Sequence, residues 1–453
     1  MKHIVISVFL VVLAGTARAQ PATGSDTPAP VAPAPAPAPV APVAPPSVAP
    51  PPVAPAPVAH APAAPAPAPA PAPDPAMTVA PLTDVTPAPA KKAEPGRASS
   101  RNFAGSVQLD YLALPEHTEP DTAFAGATVE LSLKLAMDFG DHVTANVKVC
   151  YSCHGFEVGM AYFDIRAADE LNFRVGRFTP AFGSFPLRYD PANHATSDKP
   201  LAYDMGRMVH FRDWNEGVLP APWVDNGVEI NGTHFFGVAQ LDYAAYAISG
   251  PKGSAGDIDF NYVDSRSGDA YYVDNNSEPT VGARAALTLD LAPHDLLTIG
   301  ASGMTGHYDP KAQLLFAIAG ADATLQLGRT FIRSEYLARW THYDLTDDPD
   351  EKFKFGPDSM RRYSKYFFKD GFDVEAEHPF GRVTLIARWD GLRRAGNELI
   401  GSELGAHAHV LRYTGGAAIR IVSSLQLKLS VERYLFSDFP DITAAHLGVA
   451  GPF

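Results

Sequence analysis

From about residue 103 onward, apolar and polar residues alternate with a period of two. In the run 127–137, Ala127, Val129, Leu131, Leu133, Leu135 and Met137 share one face, and Thr128, Glu130, Ser132, Lys134 and Ala136 the other. The same alternation separates Val281, Ala283, Ala285, Leu287 and Leu289 from Gly282, Arg284, Ala286, Thr288 and Asp290. It returns where Leu425, Leu427, Leu429 and Val431 stand against Gln426, Lys428, Ser430 and Glu432. Successive side chains of an extended chain point to opposite faces, so each run predicts a strand with one greasy and one wet side. A packed sandwich alternates too, and the connections discriminate better. Short breaks at 140–141, 168–170, 236–237, 293–295, 328, 379–381 and 423–424 alternate with long ones at 179–223, 250–279, 344–365 and 393–410. Short turns at one end and long loops at the other are the rule for bacterial membrane barrels. Counting runs between breaks gives about 16 strands, an even number. Region 100–453 is therefore expected to be all-β, a transmembrane antiparallel β-barrel wide enough for an aqueous lumen.

The residues before this region are of two other kinds. Lys2 and His3 precede the apolar run Ile4 to Leu13, and Ala17-Arg18-Ala19 forms a small-x-small cleavage site, so residues 1–19 read as a secretory signal peptide. No cysteine follows it to take a lipid, and no later stretch offers about 18 uninterrupted apolar residues, so spanning falls to strands. Residues 20–98 are Pro/Ala/Val with almost no charge and no Phe, Trp or Tyr, a composition that builds no core and favours polyproline II. At about 3.1 Å per residue this disordered spacer reaches on the order of 200 Å when extended. It is expected in the periplasm, as a passive tether or in contact with the cell wall, with Lys91, Lys92 and Arg97 near its end.

Composition agrees with alternation. An apolar fraction of 46% and a mean hydropathy of −0.07 arise when greasy and wet positions cancel in every window. The first 98 residues hold five Lys/Arg and four Asp/Glu, a net of +1, which leaves −15 on the remainder of a chain whose total is −14. Nucleic-acid binding needs a basic face and is not expected. With two cysteines in the chain, no disulfide framework is available.

The run "RVGRFTPAFGSFPLRYDP" at 174–191 resembles the "GRF-x-x-PFG" stretch of phosphate-selective porin O/P-type proteins, through Gly176, Arg177, Phe178, Phe182 and Gly183. Ala181 stands where that pattern has proline, with Pro180 one place earlier. The resemblance implies an outer-membrane porin in which a strand leads into a loop that folds toward the pore, and porins of this kind are commonly trimers. Phe453 looks like the signal read by barrel assembly machinery. With outer-membrane lipid around it, such a protein is a passive channel for small hydrophilic solutes, anions among them, and not an enzyme.

A pore selects by its width and by the sign of its narrowest ring. The long segment 179–223 is the candidate constriction. Its cations Arg188, Lys199, Arg207 and Arg212, with Arg174 and Arg177 on the approach, are the candidate pore-constriction residues. Arg284, Arg388 and Arg420 fall on inward strand positions. The alternative is that the arginines pair with Glu130, Asp242, Glu335 and Asp390 and hold the wall together.

Cys150, Cys153 and His154 spell Cys-x-x-Cys-His, the spacing at which two thiols attach a c-type haem and the histidine ligates its iron. A local disulfide, or thiols that stay reduced or capture a metal, are the other readings, and no cofactor is expected if either holds. With haem the protein becomes an outer-membrane redox conduit; a structural tether between outer membrane and cell wall is the remaining alternative. Acidic runs at 257–274 and 347–351 match no calcium loop and read as solvated outer loops, so no metal site is assigned. His407 and His409 share one face of an extended segment without a third ligand. No nucleophile elbow, P-loop or His-Glu-x-x-His run is present.

Overall fold

The structure is a computed structural model that describes residues 101–114, 125–152, 155–215, 217–262, 265 and 272–453, together with all side chains there except Phe211 and Arg212. The expected signal peptide 1–19, the spacer 20–98, and Cys153 and His154 lie outside these residues. Sixteen strands follow one another: β1 Arg101–Ala113, β2 Gly126–Asp138, β3 Val143–Ser152, β4 Gly155–Ala168, β5 Leu171–Phe178, β6 Asp225–Phe236, β7 Ala239–Ile248 and β8 Thr280–Ala292. The second half is β9 Asp295–His307, β10 Leu315–Leu327, β11 Thr330–His342, β12 Tyr366–Phe380, β13 Val383–Ala395, β14 His407–Val422, β15 Leu425–Phe436 and β16 Ile442–Pro452. Each pairs antiparallel with its chain neighbours and β16 pairs with β1, so the sheet is a closed barrel with no edge. Beyond the last strand, Phe453 exchanges backbone hydrogen bonds with Gly105 at 2.9 and 3.0 Å.

The connections alternate as the breaks in the sequence predict. One end carries tight turns. At two of them the register runs Leu327 to Thr330 and Phe380 to Val383, which leaves two residues to reverse the chain. Gly328 and Gly381 take φ of +56° and +62° there, the left-handed geometry such hairpins need. The other end carries the long loops 179–224, 249–279, 343–365 and 396–406. The last is shorter than the break expected at 393–410, because Arg393 and His409 still face each other on the β13–β14 ladder.

Strand phase decides which residues meet lipid. Val129, Val228, Ile230, Val281, Ile299, Leu385, Leu429, Val431 and Leu447 are exposed on the outer wall. Exposed aromatics concentrate at its two ends: Phe103, Phe139, Phe236, Phe380 and Phe453 at the short-turn end, and Tyr111, Tyr151, Trp340 and Tyr366 at the loop end. An apolar band between two aromatic girdles is the outer surface of a membrane-spanning barrel. No helix among the described residues is long and apolar enough to cross a membrane.

The band yields a first test. Val431 lies midway along β15 and Leu425 at its short-turn end. We expect Val431→Lys to cost about 2–4 kcal/mol and Leu425→Lys about 0–1 kcal/mol in urea titrations of the protein folded into lipid vesicles. Equal costs would place the membrane elsewhere.

Candidate functional site

Between β5 and β6 the chain leaves the wall and crosses the lumen. Residues 179–224, here the lumen loop, turn inward past Pro180 and Gly183 and fold through short 3-10 turns at Phe185–Arg188, Pro191–Asn193 and Leu201–Tyr203. A proline in the first turn of the first two supplies the required φ at no cost in lost donors. Phe182, Phe185, Leu201, Tyr203, Met208, Val209, Val218 and Leu219 are at most 3% exposed. They form one continuous core with Met304, Phe316, Ile318, Leu337, Leu392 and Val410, which occupy inward positions on the strands. Phe260 and Tyr262 of loop 249–279, Tyr308 and Leu404 join this core from the loop end. The loop-side half of the lumen is therefore packed. Toward the short turns the inward residues are polar and half-buried, among them Asp164, Arg174, Thr233, Gln240, Asp242, Thr288, Thr298, Thr324, Gln326 and Arg333, and they line a wet vestibule.

A loop buried in this way must have its backbone groups satisfied, and the wall's ionised side chains do much of that. Glu335 on β11 accepts the N–H groups of Ser184 and Phe185 at 2.8 and 3.1 Å, together with the hydroxyls of Ser184 and Tyr203. Asp390 on β13 accepts the Leu201 N–H at 2.8 Å. Lys428 on β15 donates to the carbonyls of Pro191 and Thr196 at 2.5 and 3.0 Å, and Arg339 on β11 to that of Val218 at 2.8 Å. Side chains of the loop are held as well. Lys148 on β3 and Lys134 on β2 both lie 2.5 Å from the Asp190 carboxylate. Arg412 on β14, wholly buried, pairs with Asp198 of the loop, with Asp390 at 2.6 Å and with Glu432 at 3.4 Å.

The register also sets four carboxylates side by side across β10 to β13, in the order Asp322, Glu335, Asp373 and Asp390. Like charges in a dry site repel strongly, so the row needs counter-charge. Arg284 sits 2.5 Å from Asp322 at one end and Arg412 closes the other, while loop amides face Glu335 between them.

The predicted cations divide among three places. Arg188, Lys199 and Arg207 are brought into the packed lumen: Arg188 lies 3.1 Å from Glu375, Lys199 donates to the Ala221 carbonyl at 2.9 Å, and Arg207 pairs with Asp110 and, at 3.5 Å, with Glu130. Arg174 faces the vestibule between Asp164 at 2.8 Å and Glu229 at 3.1 Å. Arg177, in the opposite strand phase, donates to the Val158 carbonyl and stacks 3.7 Å over the Tyr272 ring of loop 249–279. The Arg212 side chain is outside the described set. Of the inward arginines, Arg388 is buried 3.5 Å from Glu375 and Arg420 is exposed beside a bulge at the rim. Cys150 is buried on β3, opposite Glu157 of β4; the rest of the Cys-x-x-Cys-His run lies outside the described residues. Asp259, from the acidic loop, turns inward and meets Arg339 at 2.5 Å. His407 and His409 are exposed and share the outward phase of β14.

Among the perturbed acidities of the lumen loop, those of Asp204 and His194 bear on its charge. Burial and the neighbouring Asp198 push the Asp204 carboxyl up to about 6, against the opposing pull of Arg412 and of the backbone N–H groups it accepts. Burial, reinforced by Lys428, Arg188, Lys199 and Arg388, drives the His194 imidazole well below its ordinary value, so the ring is neutral against Phe185.

No protein-family model matches the chain, and no curated protein matches its sequence. Among solved structures it is similar to OmpF of Salmonella typhi in complex with daunomycin, with 10% identity over 79% of this chain and 98% of that one and a TM-score of 0.49. It is similar also to an anion-selective porin from Comamonas acidovorans, with 12% identity over 78% of this chain and 100% of that one and a TM-score of 0.46. The outer-membrane channel DcaP of Acinetobacter baumannii gives 12% identity over 79% and 98% of the two chains, with a TM-score of 0.46.

The pairing around Arg412 makes Arg412→Gln costly, since three carboxylates lose their shared cation. We expect a loss of about 3–5 kcal/mol, read as a lowered thermal midpoint in detergent. A midpoint within error of the parent would mean the cluster is wetter than its burial implies. Asp204 offers a finer test, because one of its oxygens accepts the N–H groups of Gly206, Arg207 and Met208 at 2.7, 2.9 and 3.2 Å, and an amide oxygen can do the same. A carboxyl held above its ordinary 3.8 keeps its proton longer in the fold, so it subtracts stability as pH rises from 3.8 to about 6. Asp204→Asn should remove that fall, and melting at pH 4 and pH 7 would show it.

Proposed function

We propose that the chain is an outer-membrane channel of the porin type, passing small hydrophilic solutes by passive diffusion at a rate set by the lumen loop. The observation that carries this reading is a polar vestibule that ends on a loop held by ionic and hydrogen-bonded contacts as well as by apolar packing. A barrel of this girth has room for a pore when its interior is not filled, and the loop is what fills it here. Charge pairs exchange for water at modest net cost when they open to solvent, which makes a pinned loop a better gate than a purely greasy one.

Ion preference is assigned to Arg174, Arg188, Lys199, Arg207 and Arg212, with anions favoured once the loop is displaced from its carboxylate partners; Arg177, whose strand phase turns it out of the lumen, takes no part. Strand β1 begins at the short-turn end, which supports a periplasmic location for the preceding spacer. The homotrimer and the contacts with cell wall and assembly machinery stay with this proposal.

The test is conductance of the full chain in planar bilayers, compared with a variant in which residues 184–216 are replaced by a short Gly/Ser linker. The parent should show small, fluctuating conductance and the shortened form steps several-fold larger. In a salt gradient Arg207→Glu should move the reversal potential toward cations. Silence from both parent and shortened protein would overturn the channel and favour a structural barrel.

A further inference from the structure

We propose that Asp198, Glu432 and His446 form a divalent-metal site of the zinc class that clamps the lumen loop to β15 and β16. One donor atom from each of the three lies within 4.8 Å of the others, and none of the residues is more than 3% exposed. Asp198 belongs to the loop, Glu432 to β15 and His446 to β16, so the set bridges the lumen loop and the barrel wall.

The hydrogen bonding leaves one potential ligand atom of each residue without a hydrogen-bond partner. Each carboxylate has one oxygen engaged: Arg412 takes Oδ2 of Asp198, and Arg412 and Tyr434 take Oε2 of Glu432. Their other oxygens, Oδ1 and Oε1, are buried with no hydrogen-bond partner among the described residues, and the Arg388 guanidinium lies 3.8 Å from Oε1. The same holds for Nε2 of His446, whose Nδ1 lies 2.8 Å from Asp110 Oδ2. Donation from Nδ1–H to that carboxylate fixes the tautomer and turns the Nε2 lone pair toward Asp198 and Glu432. A carboxylate behind a ligating histidine is the usual outer shell of a zinc site, and one nitrogen with two oxygens leaves a fourth position for water. Zinc bonds of about 2.0–2.2 Å put ligand atoms roughly 3.4 Å apart, so modest side-chain rotation closes the set. Gly448, next on the inward face of β16, gives the loop room to come down. A Cβ there would fall on Ser197 Oγ and within 2.8 Å of Asp110 Oδ1. The metal-free alternative is an imidazolium bridging Asp110 and Glu432, the latter 3.7 Å from Nε2.

Binding is independent of the proposed channel, whereas its effect on conductance rests on that reading. The full chain, stripped by chelator in detergent, is titrated with Zn2+ by calorimetry and with Co2+ by visible spectroscopy. We expect a micromolar or tighter site per chain that weakens at least about tenfold in Asp198→Asn and in His446→Gln. His407→Gln, on the outer wall, should bind as the parent does. Asp198→Asn alters a loop residue and guards against misfolding at position 446, with heat-modifiable mobility as the check that the barrel is closed. Parent-like binding in both variants, or no binding by the parent, overturns the site and favours the imidazolium bridge. In bilayers, Zn2+ should reduce conductance of the parent and chelator restore it, with neither effect in Asp198→Asn. Binding without that change refutes the clamp, and binding by a protein that never conducts upholds the site while the channel reading fails.

Discussion

Everything inside this barrel depends on one requirement: a loop buried in a closed cylinder must find partners for its backbone N–H and C=O groups. Greasy contact alone would bring Phe185, Leu201 and Tyr203 into the lumen and leave their amides stranded at several kcal/mol each. The wall answers with long, ionised side chains. Glu335 and Asp390 accept from amides, and Lys428 and Arg339 donate to carbonyls. Inward charges that alternation would hand to water are thereby turned into anchors for the chain.

This use of charge explains why the interior is at once ionic and dry. Taking a carboxylate or guanidinium out of water costs several kcal/mol unless geometry and added hydrogen bonds return it. Around Arg412 the return comes from three carboxylates and the Lys199 carbonyl together. Such a cluster adds little net stability over a greasy replacement, but it fixes where the loop sits.

Much of the barrel was legible because the information is local. A period of two, broken by Gly, Pro and Asp, marks strands and turns without knowledge of partners, and the predicted short breaks fall at the tight turns of the structure. Strand phase assigned Glu130, Arg284, Lys428 and Glu432 to the inner face. The same phase carried a signal that went unused: Met304, Phe316, Ile318, Leu337, Leu392 and Val410 are apolar at inward positions, which in a water-lined pore has no reason to occur. Read together they announce something greasy opposite them. The pairings of Arg188, Lys199 and Arg207 were not legible, since each partner lies far away in sequence and depends on the path of the loop. Glu130 as a partner was anticipated; Asp110, Glu375 and Lys148 were not, because nothing near them in the chain marks them as contacts. Strand ends were also misjudged at 393–410, where His407 and His409 look like a loop but continue the ladder.

The anchors of the lumen loop are drawn from both ends of the region. Asp110, Lys134 and Lys148 come from β1 to β3, and Glu335, Asp390, Arg412 and Lys428 from β11 to β15, while β16 and β1 meet at the seam between these groups. No half of the cylinder can therefore seat the loop by itself. The full set of anchors exists only once β16 has met β1, so the final seating of the loop is coupled to closure of the seam.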